Sequence, residues 1–185
     1  MSKFIKGMDL STLLELERCG AKYYEDGKEK DILDIMKEHD VDTIRLRLWN
    51  DPKSEDGEPY GAGNNDLAET IAIGKKVTDA GFGVLLNFHY SDFWADPAKQ
   101  VKPKAWKELS GEALETAVYL HTVDTLKALK NHKLVPTMVQ VGNEITKGLL
   151  WPDGYIEQTE NMAHLLQAGI KGVREECPDA RIVLH

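Results

Sequence analysis

Apolar and polar positions alternate along this chain in two periods, two residues and about 3.6 residues. Short apolar runs recur at Phe4 to Asp9, Val41 to Trp49, Gly83 to Tyr90, Thr137 to Asn143 and Arg181 to Leu184, and these predict five strands. Helical spacing fills the gaps. Ser11 and Thr12 open the first helix, where Thr12-x-x-Glu15 has capping-box spacing and Gly20 is a stop signal. Residues 29–39 place Ile32, Ile35 and Met36 on one face. Asp66-x-x-Glu69 opens a helix that ends near Gly81, and Ser110 is expected to cap another from Gly111 to Lys130. Glu157 to Glu176 carries Met162, Leu165, Leu166, Ile170 and Val173 at helical intervals. Asp51 to Asn65, and the stretch after Tyr90 up to about Leu109, read as long loops.

Strands alternating with helices imply a parallel sheet with right-handed crossovers. An open doubly wound sheet and a (β/α)8 barrel both fit that order. No G-x-G-x-x-G follows the first strand, which counts against a dinucleotide-binding sheet. Strand ends point to the barrel, whose functional groups gather at the C-terminal ends of its strands. The first four strands end in Asp9, in Arg47-Leu48-Trp49, in Asn87-Phe88-His89-Tyr90 and in Asn143-Glu144. Residues two apart share a face of a strand. Ile44, Leu46, Leu48, Val84, Leu86, Phe88, Val139 and Val141 would therefore pack on helices, while Arg45, Arg47, Asn87, His89, Gln140 and Glu144 would line the barrel interior. Charges there need partners or a ligand. A buried ion-pair network without chemistry is the alternative. The expected fold class is α/β, a partial TIM barrel of about five parallel strands.

Composition narrows the function. Acidic residues exceed basic ones by 31 to 23, a net charge of −8, which argues against nucleic acid as a partner. No apolar run approaches the length of a membrane span. Met1 to Phe4 begin no apolar leader, so the chain is expected to be cytoplasmic if complete as written, or extracellular with a leader removed. Cys19 and Cys177 allow at most one disulfide and have no metal-ligand spacing.

Val139-Gln140-Val141-Gly142-Asn143-Glu144-Ile145 carries the sharpest chemical signal. A glutamate at a barrel strand tip can protonate a glycosidic oxygen, and a neighbouring asparagine amide can bind the sugar 2-hydroxyl. Together with Gly7-Met8-Asp9-Leu10-Ser11, Asp42 to Asn50, Phe88 to Pro97 and Leu150-Trp151-Pro152, this run resembles glycoside hydrolase family 53, the arabinogalactan endo-β-1,4-galactanases. The resemblance covers essentially the whole chain and implies that residues 1–185 are the N-terminal part of a single catalytic domain. It implies a retaining, two-glutamate mechanism with the acid/base on strand four and the nucleophile on strand seven. Glu144 matches the acid/base, Asn143 the preceding asparagine, and Arg45 the strand-two arginine, with Arg47 as the alternative. His89 and Tyr90 match strand-three site residues. Asp92, Trp94 and Asp96 match the loop beside the galactan groove, and Trp49 and Asp9 complete the expected substrate-binding set. Asn87 departs from the aspartate expected there, which removes a negative charge near the site.

A barrel of this class needs roughly 250 residues, so strands six to eight and the nucleophile are not expected within these 185. The chain would then supply the acid/base half of the site and be inactive alone. Its outer strands would be open edges that favour self-association. No metal and no cofactor is expected. The alternatives are a non-catalytic carbohydrate-binding fragment, or a related clan member acting on mannan or cellulose.

Overall fold

The computed structural model describes residues 4–185; Met1 to Lys3, on which the reading of the chain start partly rests, lie outside the described residues. Five strands form one parallel sheet: β1 (Gly7–Asp9), β4 (Thr43–Leu48), β5 (Gly83–Phe88), β6 (Met138–Val141) and β9 (Arg181–Val183). They stand side by side in chain order. A doubly wound sheet reverses strand order at a switch point. No reversal occurs here, and the sheet is the front of a (β/α)8 barrel. Its register sets Asp9 beside Arg45, Arg47 beside Asn87, and Asn87 beside Gln140, so polar side chains meet at the same level across neighbouring strands.

The helices follow from the local signals. They are α1 (Leu13–Arg18), α2 (Ile32–Glu38), α3 (Leu67–Asp79), α4 (Gly111–Asn131) and α5 (Thr159–Glu176). Asp31 and Asp66 cap α2 and α3 by accepting the Leu33 and Glu69 backbone N–H groups. The apolar parity of the strands, from Ile44 through Val141, joins Leu33, Ile73, Val77, Leu114, Leu126 and Val173 in one core.

Three local expectations change. The Thr12–Glu15 capping box does not form: Thr12 makes no side-chain cap, and Glu15 accepts from the Gly63 backbone N–H instead. Gly63 lies so close to Ser11 and Thr12 that a Cβ there would sit 2.7 Å from the Ser11 carbonyl oxygen, which brings the long loop over the helix start. Ser110 likewise makes no side-chain cap. Residues 23–30 hold an unforeseen hairpin, β2 (Tyr23–Glu25) and β3 (Lys28–Lys30), turning at Asp26-Gly27 with both φ angles positive. A second small hairpin, β7 (Gly148–Leu149) with β8 (Gly154–Tyr155), follows Glu144.

Candidate active site

The strand-end polar groups converge around Asn143. Arg45 spans from Asp9 to this residue: its Nη1 donates to Asp9 Oδ2 at 2.6 Å and its Nη2 to Asn143 Oδ1 at 2.7 Å. The same Asn143 oxygen accepts from Asn87 Nδ2 at 3.1 Å and Gln140 Nε2 at 3.2 Å. Donors from β4, β5 and β6 thus meet on one atom. Asn143 Nδ2 donates to the Ala95 carbonyl at 2.8 Å, which fixes the amide orientation. Gln100, which sequence reasoning missed, donates from its buried amide to the Asn143 carbonyl at 2.7 Å. A lone glutamine inside a loop gives no sequence signal of this role.

Asp9 is held ionised. Burial opposes its charge, but Arg47, the Ser11 hydrogen bonds and Arg45 outweigh that and keep its carboxyl below the usual aspartate range. Arg47 stands 3.7 Å from Asp9 and lays its guanidinium 4.3 Å over the Trp94 ring.

Glu144 differs from its neighbours. Strand alternation expected it to point inward beside Arg45 and His89. The strand ends at Val141, however, and Gly142 (φ +83°) and Glu144 (φ +49°) adopt left-handed backbone. This break lets Asn143 take the inward position and leaves the Glu144 side chain with no hydrogen bond or ion pair among the described residues, half-exposed at the carboxyl end of β6. A non-glycine residue in this region costs on the order of 1 kcal/mol.

His89 is enclosed by Trp49 and Trp94, both edge-on. Its Nδ1 accepts the Ala95 N–H at 3.2 Å. The ring proton therefore lies on Nε2, a buried donor with no partner in the chain. Burial, then the positive charges of Arg45 and Arg47, push its pKa down to about 3, so the ring is neutral.

Several expected site residues are placed elsewhere. Tyr90, two residues past Phe88 and in left-handed backbone (φ +51°), stacks on Phe88 at 5.4 Å and bonds Thr122 of α4 through its hydroxyl at 2.8 Å; it belongs to the core. Trp49 is wholly buried and braces Phe93 and Trp94, so it offers no free ring face. Asp92 accepts the Asp51 and Lys104 N–H groups and ties two loops together. Asp96 accepts from Ala98 and Lys99 backbone N–H groups within its own turn. Trp94 is half-buried, with Arg47 over its ring.

With this geometry in view, the sequence profile described as glycosyl hydrolase family 53 matches residues 5–185. The endo-β-1,4-galactanase of Bacillus subtilis is 43% identical over 98% of this chain and 42% of its own length. Among solved structures, the family 53 catalytic domain of Ignisphaera aggregans superposes with a TM-score of 0.94 at 50% identity, covering 98% of this chain and 51% of that one. A fungal β-1,4-galactanase superposes at 0.89 with 37% identity, covering all of this chain and 54% of the other. The chain spans about half the length of the relatives it matches, and it belongs to glycoside hydrolase family 53.

Proposed function

We propose that this chain, residues 1–185, is the N-terminal part of a single catalytic domain that cleaves β-1,4-galactosidic linkages within galactan or arabinogalactan, with net retention. The observation that carries the reading is the pairing at the end of β6: Asn143 clamped by donors from three strands, and next to it Glu144 with its carboxylate left unbonded. A general acid must be positioned yet free to give its proton to the leaving oxygen. Glu144 protonates that oxygen, and its carboxylate then takes a proton from the attacking water. Asn143, whose Nδ2 has one N–H committed to Ala95, has a second N–H for a sugar hydroxyl. Asp9 bonds Arg45 and pairs with Arg47, orienting both and balancing one of their two charges. His89 donates from Nε2 to substrate, and Trp94 borders the groove. The nucleophile is supplied from outside these 185 residues, by the strand-seven glutamate, so this chain alone does not turn over.

The test uses a protein of the relatives' full length on β-1,4-galactan, with the product anomer followed by NMR. Glu144→Gln should lower turnover of galactan by roughly 10²–10⁴-fold, and far less on aryl galactosides whose leaving group needs no proton. Equal losses on both substrates would reject the acid/base role. Preference for mannan or cellulose would reject the substrate, and binding of galactan oligosaccharides without turnover would leave a carbohydrate-binding function only.

A further inference from the structure

Between the loops that follow β4 and β5 lies a second groove, of about 300 Å³, at the small end of ligand pockets. Tyr60, Phe93, Trp94 and Val101 form its apolar surface, with Lys99 and Lys104 at the rim. Tyr60 and Val101 are 43% and 61% exposed. The rings are preset: Tyr60 meets Phe93 edge-on at 5.5 Å, and Phe93 and Trp94 rest on the buried Trp49 at 4.8 and 5.5 Å. A preformed wall loses little freedom when a ligand arrives.

Charge decides the class of ligand. Three lysines line the groove, which at first suggests an anion. Each is neutralised: Lys99 by Asp96 at 3.9 Å, Lys102 by Asp153 at 2.8 Å and Lys104 by Asp51 at 3.1 Å. Asp92 adds a further carboxylate to the lining. No net positive charge is left over. The Tyr60 hydroxyl bonds no other described residue. Lys104 and Lys99 Nζ lie 5.8 Å over the Tyr60 and Phe93 rings, so a ligand meets these angled aromatics beside neutralised lysines, which suits a molecule that is apolar on its C–H face and hydroxylated at its edge. We infer that this groove is an accessory subsite for one neutral hexopyranose unit, holding the polymer at a distance from the bond that is cut. Trp94 is its shared wall with the Asp9–Arg47 pair, since Arg47 covers the ring. Identifying that unit as galactose rests on the galactan reading above.

The experiment titrates the 185-residue chain with β-1,4-galactotriose, cellotriose and tri-galacturonate, followed by calorimetry and tryptophan fluorescence. Tyr60→Ala and Val101→Glu alter exposed positions, and circular dichroism melts check that both stay folded. Galactotriose affinity should fall about three- to tenfold in Tyr60→Ala, the worth of one aromatic contact, and at least as much in Val101→Glu. Wild-type affinity in both folded variants, or no binding of either neutral trisaccharide, overturns the subsite. Tighter binding of tri-galacturonate that is lost in Lys99→Ala overturns its neutral character. Cellotriose bound in a Tyr60-dependent manner with galactotriose excluded keeps the subsite and overturns the galactan reading instead.

Discussion

His89 and Glu144 show how much a single residue's environment decides. Unfolded, His89 takes up a proton near pH 6.5; folded, it does so only near pH 3. Between those values the unfolded chain binds more protons, so stability falls as pH is lowered from 6.5 towards 3, by up to about 1.4 kcal/mol per pH unit from this group. His121, held down to about 4 mainly by burial, acts in the same direction. Urea midpoints should drop between pH 7 and pH 4, and His89→Gln should flatten that slope; an unchanged slope would mean that the ring titrates normally. Glu144 sits in left-handed backbone that asparagine tolerates better. Glu144→Asn should therefore raise unfolding free energy by about 1 kcal/mol while removing the proposed acid, a trade visible in parallel denaturation and activity measurements. A loss of stability would show that the Glu144 side chain supports the fold.

At the scale of elements, the break after β6 aims the site. Gly142→Ala would place a Cβ 2.7 Å from Ile145 Cγ2 at a φ of +83°. Gly81 has φ +90° with open space around it, so Gly81→Ala isolates the backbone cost, on the order of 1 kcal/mol. Gly142→Ala should cost more than that, and equal values in urea denaturation would show that Ile145 moves aside freely. The same break explains what the sequence concealed. Strict alternation from Val141 assigns Asn143 outward, yet its bonds to Arg45, Asn87 and Gln140 place it inward, because period-two reasoning holds only while the strand lasts. Elsewhere the sequence was more legible than the reading taken from it. Asp26-Gly27 is a strong tight-turn signal, but the flanking strands are short and charged and show no apolar alternation. Tyr90, past the end of β5 in left-handed backbone, lies beyond the reach of alternation. The inner strands β4, β5 and β6 and the helices α3, α4 and α5 are legible because each buries an apolar face, whereas β1 is exposed along its length. Gln100 is not legible, since the Asn143 and Glu144 carbonyls that give it a place in the site lie more than 40 positions away.

For the whole molecule, β1 and β9 each pair on one side only among the described residues. Met8 and Leu184, on and beside those strands, are 48% and 53% exposed. Unpaired backbone and apolar surface at two edges favour association with another chain. Sedimentation velocity of the 185-residue chain over micromolar concentrations should show concentration-dependent oligomers. Adding the remaining βα units of a family relative as a separate fragment should suppress them and produce galactanase activity. A sharp monomer boundary at every concentration would count against this. Among the described residues, no helix is long and apolar enough to cross a membrane.

Ala95 bonds the site in both directions through its main chain alone, giving its N–H to His89 and taking the Asn143 amide on its carbonyl. Main-chain groups are common to nearly all residue types. The outward-facing side chains of the 91–104 loop are therefore free to drift, or to be redesigned, without disturbing the His89 and Asn143 contacts that Ala95 holds. A library that randomises Tyr60, Lys99 and Val101 but spares Ala95 and Gln100 should change sugar binding at the proposed subsite while leaving the His89 and Asn143 contacts intact.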